Sequence, residues 1–293
     1  MSHGVLSLGG LLALGLLLGC SPAPAPAPAP APASGPAAAA GPLKVAVTVA
    51  PQGYVVARLG GRRVAVQVLL PASANHEEYE PTLGLLTGLS GAALWLQVGP
   101  EVFDFEKAWA AKILGAAPGM VAVDTSRGLT PSARNPHFWL SPRLVRQTLP
   151  TLTAALIAAD PAGRDDYARG QAQFEAELDA LQAELTGLLA PSRGKTLLFF
   201  HPAWTYLGAD HGLNLLAIEQ HGHEPGPGQL QELIETARGL GVQDVFVEPQ
   251  ISSRSAATVA AALGGQLRTV DPLAADWPGG LRQAARLFAA HAR

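Results

Sequence analysis

From Leu43 onward, short apolar runs alternate with stretches in which apolar residues recur every three or four positions. The runs Leu43–Ala50, Val64–Leu70, Ala93–Val98 and Met120–Asp124 predict one set of strands. Lys195–Phe200, Leu213–Ile218, Asp244–Val247 and Gln266–Val270 predict a second. Several are apolar almost without interruption, as strands buried on both faces of a parallel sheet must be. Helical spacing covers Thr82–Leu89, Phe103–Leu114, Gln229–Leu240, Arg254–Leu263 and Leu281–Ala290. Strands alternating with helices imply βαβ units.

The middle of the chain breaks this rhythm. Ser141-Pro142 and Asp160-Pro161 each pair a capping side chain with a proline suited to the first helical position. A long helix then runs from Pro161 to about Leu189. Tyr167, Phe174, Leu178, Leu181, Leu185 and Leu188 lie along one stripe of it, and Pro191-Ser192-Arg193-Gly194 ends it. The fold expected is α/β, with two lobes, each a small parallel sheet flanked by helices, joined by one long rigid helix. The division is 43–160 for the N-terminal lobe, 161–190 for the linking helix and 191–293 for the C-terminal lobe.

The segment before Leu43 has another character. Val5 to Leu18 is an apolar run of signal-peptide length, ending in Leu17-Leu18-Gly19-Cys20. A small residue directly before Cys20 resembles the lipobox of bacterial lipoproteins, which implies cleavage after residue 19 and lipidation of Cys20. Residues 20–42 then read as the lipidated cysteine and a linker. Its alternating Ala and Pro favour an extended polyproline chain that spans about 60 Å from Ser21 to Pro42. The protein is therefore expected outside the cytoplasm, held by lipid to the membrane on the periplasmic side or cell surface.

Composition narrows the function. Charged residues are 15% of the 293, with a formal net charge of −3, so there is no basic footprint for nucleic acid. Hydrophobic residues at 48% supply a large core. A single cysteine rules out an internal disulfide.

Open parallel sheets bind ligands beyond the carboxyl ends of their strands, and polar residues gather there. His76, Glu77 and Glu78 follow the strand 64–70, and Asn135-Pro136-His137 lies beyond 120–124. His201 directly follows 195–200, and Asp271 directly follows 266–270. Imidazole and carboxylate are the donors zinc prefers, and with more oxygen the set suits manganese. Each residue also has a plain structural role open to it. His76 and Glu77 fit a solvated acidic loop, His137 and His201 fit hydrogen-bonded core histidines, and Asp271 fits a turn cap. What favours a site is that two exits in each lobe offer such groups to one interlobe cleft.

The stretches Glu77-Glu78-Tyr79-Glu80-Pro81, Asn135-Pro136-His137-Phe138-Trp139, His201-Pro202-Ala203-Trp204-Thr205-Tyr206, Glu224-Pro225-Gly226-Pro227 and Val270-Asp271-Pro272-Leu273 carry a resemblance. In order and separation, across Leu43 to Phe288, the chain resembles the zinc and manganese solute-binding proteins of ABC importers, called cluster A-I. The resemblance implies a monomeric receptor that binds Zn2+, or Mn2+ as the second metal, and delivers it to an ABC permease. It implies Glu77, His137, His201 and Asp271 as metal ligands, no catalytic residue and no enzyme activity. The family usually has His where Glu77 stands; His76, one residue earlier, is the other candidate for that position. Two histidines with two carboxylates move the preference toward manganese, whereas the imidazole at 201 moves it toward zinc. In Glu219-Gln220-His221-Gly222-His223-Glu224, His221 and His223 are auxiliary ligand candidates.

Two other functions fit parts of the pattern. A zinc hydrolase would use His137, His201 and Asp271, with Glu77 or Glu219 as base, but neither a His-Glu-x-x-His helix nor a Gly-x-Ser-x-Gly elbow occurs. A receptor for a metal chelate such as haem or a siderophore would line its pocket with Trp139, Trp204 and Tyr206; packing at the lobe interface is their alternative role.

Overall fold

The two sheets of the computed structural model repeat one topology. It describes residues 41–75, 78–129, 135–219, 223, 225–251 and 254–293. The first half runs β1 (Leu43–Val47), α1 (Ala50–Gly60), β2 (Val64–Val68), α2 (Leu83–Gly88), β3 (Leu94–Gln97), α3 (Asp104–Ala116) and β4 (Val121–Asp124). Its strands are parallel, in the order β2-β1-β3-β4. Two helices follow, α4 (Pro142–Ala159) and α5 (Arg164–Leu189). The second half runs β5 (Thr196–Phe199), α6 (Thr205–His211), β6 (Asn214–Ala217), α7 (Pro227–Gly239), β7 (Val245–Val247), α8 (Arg254–Leu263), β8 (Leu267–Thr269) and α9 (Trp277–His291). Its strands are also parallel, in the equivalent order β6-β5-β7-β8.

The uninterrupted apolar strands have the cause expected. Along the run from 197 to 200, Leu197 and Phe199 enter one core cluster while Leu198 and Phe200 enter another on the opposite face. The larger cluster extends from Val45 and Trp95 in the first sheet, through Tyr167, Phe174 and Leu185 of α5, to Phe199, Phe246 and Phe288. The lobes thus share one apolar core. α5 is a rod of 26 residues, about 39 Å long at 1.5 Å per residue. Its buried face is Tyr167, Gly170, Phe174, Leu178, Leu181, Leu185 and Leu189, so the stripe ends on Leu189 while Leu188 is half-buried.

Two helices lie where the apolar pattern predicted none. α1 begins inside the expected strand 43–50. Gln52 Oε1 accepts from the Thr48 and Val49 amides at 3.0 and 3.3 Å, and Pro51 fills the first turn. α6 is a seven-residue helix behind His201, closed by Gly212 at φ 71°. Ser141 caps α4, accepting from the Leu144 amide at 3.1 Å. Asp160 instead precedes a 3₁₀ turn over Pro161–Gly163, and α5 starts at Arg164. α9 starts four residues earlier than its spacing suggested. Asp276 caps it through the Gly279 amide at 3.2 Å. Among the described residues no helix is long and apolar enough to cross a membrane. The segment 1–40, with Cys20, lies outside the described residues, as do His76, Glu77 and His221.

Candidate metal centre

The crossing point of each sheet lies between its two central strands, where the chain leaves for opposite edges, and such a crevice is the usual ligand position. The N-terminal lobe fills its own. Glu106 of α3 is fully buried there, accepting from the Val98 and Gly99 amides at 2.6 and 2.8 Å and from the Thr48 hydroxyl. Thr48 in turn accepts from Trp95 Nε1 at 3.0 Å. Burial pushes the Glu106 carboxyl up to about 7, against the lowering effect of its three donors. In the C-terminal lobe the crossing point is occupied by His201, two residues beyond β5.

His201 meets His137 there. Their rings are 5.0 Å apart between centres and inclined at 71°. Both side chains are buried, with exposures of 2% for His137 and 7% for His201. Each ring is held through Nδ1: His137 by Asn135 Oδ1 at 2.8 Å, His201 by Glu219 Oε2 at 3.1 Å. In the tautomer these bonds select, Nδ1 carries the proton and Nε2 carries the lone pair, which suits Nε2 to bind a metal.

Asn135 is the pivot of this arrangement. Its Oδ1 also accepts from the His137 amide at 3.0 Å, closing a tight local turn. Its Nδ2 donates to the Pro202 carbonyl at 2.9 Å, and its carbonyl accepts from the Tyr206 hydroxyl at 2.9 Å. One asparagine therefore orients His137 and ties it to the residues that follow His201. Further bonds lock the same junction. Asp210 of α6 accepts from the Ser141 hydroxyl and from Arg143 Nε, the latter at 2.8 Å. Trp139 Nε1 donates to the Pro272 carbonyl at 2.8 Å, and Trp277 Nε1 donates to the Trp139 carbonyl at 2.7 Å. Trp139, Trp204 and Tyr206 are buried in the common core, which is the interface role set against a chelate pocket above.

Asp271 is half-buried on a turn, its Oδ1 accepting from the Leu273 amide at 2.9 Å and from Gln250 Nε2 at 2.8 Å. Gln250 Nε2 also donates to the Ala72 carbonyl at 2.8 Å, so Asp271 is linked to the loop that leads to His76 and Glu77. Among the described residues no three His, Cys, Asp or Glu side chains form a metal-holding group; the close pair is His137 with His201. His223 is exposed. The other described histidines lie elsewhere. Burial in α6 lowers the pKa of His211, and His291 Nδ1 is 2.6 Å from Asp244 Oδ2. The orienting roles of Asn135 and Glu219 were not foreseen from sequence.

Comparison with known proteins gives this geometry a context. Residues 45–288 match the family described as zinc-uptake complex component A, periplasmic (ZnuA). The high-affinity zinc uptake system protein ZnuA of Bacillus subtilis is 24% identical over 232 residues, covering 71% of each chain. The manganese-binding lipoprotein MntA of Halalkalibacterium halodurans is 24% identical over 232 residues, covering 74% of each. A crystal structure of ZnuA superposes with a TM-score of 0.81 at 35% identity, covering 85% of this chain and 99% of that one. A ZnuA deletion mutant with zinc bound superposes with a TM-score of 0.79 at 35% identity, covering 85% of this chain and 98% of that one. The two lobes, the helix between them and the match over 45–288 agree: the chain belongs to the ZnuA family of metal-binding solute-binding proteins.

Proposed function

We propose that this protein is an extracytoplasmic receptor that binds Zn2+, with Mn2+ as the second metal, and delivers it to the permease of an ABC importer. The observation that carries the reading is the meeting of His137 and His201. They come from different lobes, their ring centres are 5.0 Å apart, and an oxygen acceptor fixes each Nδ1. Two imidazoles so oriented are half of a tetrahedral zinc shell. Glu77 and Asp271 supply the carboxylates, with His76 the substitute for Glu77 and His221 and His223 at the rim. The relatives named for zinc and for manganese uptake support the metal class.

Cargo capture requires no bond-breaking chemistry, and we assign no catalytic residue. The shared core and the bonds through Asn135, Trp139 and Trp277 favour small shifts of loop and lobe over wide closure. The protein acts as a monomer, anchored by lipid at Cys20 after removal of residues 1–19, with 20–42 holding the body away from the membrane. The test is metal analysis of the untagged chain lacking its first 42 residues. The native sequence should hold one zinc per chain, and His137→Ala or His201→Ala should abolish stoichiometric metal. Full retention in both variants would contradict the proposal.

A further inference from the structure

The carboxylate behind His201 has a position dictated by strand register. In the β5–β6 pair Phe199 lies opposite Ala217, so two residues further on His201 falls beside Glu219. The ladder continues past the strands to hold that alignment. The Ile218 amide donates to the Phe199 carbonyl at 2.9 Å, and the Glu219 amide donates to the Phe200 carbonyl at 2.9 Å. Glu219 Oε2 then lies 3.1 Å from His201 Nδ1, with side-chain exposures of 6% and 8%. A carboxylate this well buried is costly unless something at the site gains from it.

From this we infer that Glu219 is the positioning residue for His201: it accepts a hydrogen bond from Nδ1–H, fixes the ring plane and leaves Nε2 unprotonated to bind the ion. The inference rests on the metal-receptor reading above and deepens it. The two imidazoles are not equivalent. Asn135 supports His137 with an amide oxygen, and Glu219 supports His201 with a carboxyl oxygen.

Three forms of the chain test this: native, Glu219→Gln and Glu219→Leu. Zinc affinity is read by competition with a chromogenic chelator, and the ring-nitrogen shifts of His201 by 15N NMR on metal-free protein at pH 8. Glu219→Leu should weaken zinc by about 10–100-fold and lose the single Nδ1–H tautomer. Glu219→Gln, whose amide oxygen accepts the same bond, should restore the tautomer and recover most of the affinity. Native affinity in Glu219→Leu would overturn the inference, and so would Glu219→Gln falling as far as Glu219→Leu. The spectrum of native protein needs neither metal nor variant: a native His201 protonated at Nε2 refutes the positioning role even if Glu219→Leu fails to fold. Failure of native protein to bind zinc, with the Nδ1–H tautomer present, would instead refute the metal-receptor reading.

Discussion

Replacing Glu106 by Gln tests whether the N-terminal lobe is built around a carboxyl that its own burial keeps protonated. The native carboxyl rises from 4.5 to about 7 because burial outweighs the Thr48, Gly99 and Val98 donors, with Asp124 adding to the rise. The folded state therefore binds more protons than the unfolded state between these values, and stability falls as pH rises through that window. At 1.36 kcal/mol per pH unit the full effect is roughly 3 kcal/mol, most of which is lost between pH 5 and pH 7.5. Gln cannot ionise, so the variant lacks this loss, whatever fixed penalty its amide nitrogen suffers against the Val98 and Gly99 amides. Thermal melts of both proteins in chelator, followed by circular dichroism, give the difference directly. For a body of this size 1 kcal/mol moves the midpoint by roughly 2–4 °C. The midpoint of Glu106→Gln relative to native protein should thus rise by roughly 5–10 °C from pH 5 to pH 7.5. Parallel melting curves across that range would refute the reasoning.

Gly170 of α5 faces α1, where an added Cβ would fall 2.2 Å from the Leu59 carbonyl oxygen. Gly170→Ala should therefore cost roughly 1–3 kcal/mol or more in urea unfolding by forcing the two helices apart. Asn135→Ala removes both the acceptor for His137 Nδ1 and the tie to Pro202, and zinc affinity measured by chelator competition should fall by roughly 10–100-fold. Asn135→Asp keeps the acceptor and loses the donor to Pro202, so its affinity should lie between native and Asn135→Ala.

Much of the architecture was legible because the central strands are buried on both faces and therefore read as uninterrupted apolar runs, Leu197 to Phe200 being the clearest. The long helix was legible from its single stripe. α1 was missed because Val45 to Ala50, broken only by Thr48, reads as one apolar run and hides the turn from strand to helix. Pro51 and the spacing of Val55, Val56 and Leu59 were the signals available. α6 is short, and its apolar residues continue those of the strand before it. Strand exits can be located from sequence alone, which is how His137, His201 and Asp271 become candidates; of these the structure brings His137 and His201 together. Glu219 and Asn135 act through register and cross-lobe bonds. The alignment of Phe199 with Ala217 depends on which strands pair, and one chain's sequence does not state that. In the sequence Glu106 is one of two acidic residues in the first turn of α3. Its burial follows from the place where β1 and β3 adjoin.

Groups distant in sequence are proposed to hold one ion between the lobes, and the coordinates of the zinc-loaded protein would reveal them. Those coordinates should show a single ion with Nε2 of His137 and Nε2 of His201 each about 2.0–2.1 Å away, and carboxylate oxygens of Glu77 and Asp271 completing four ligands. A single zinc bound away from His137 and His201, or held by only one of them, would contradict the proposal.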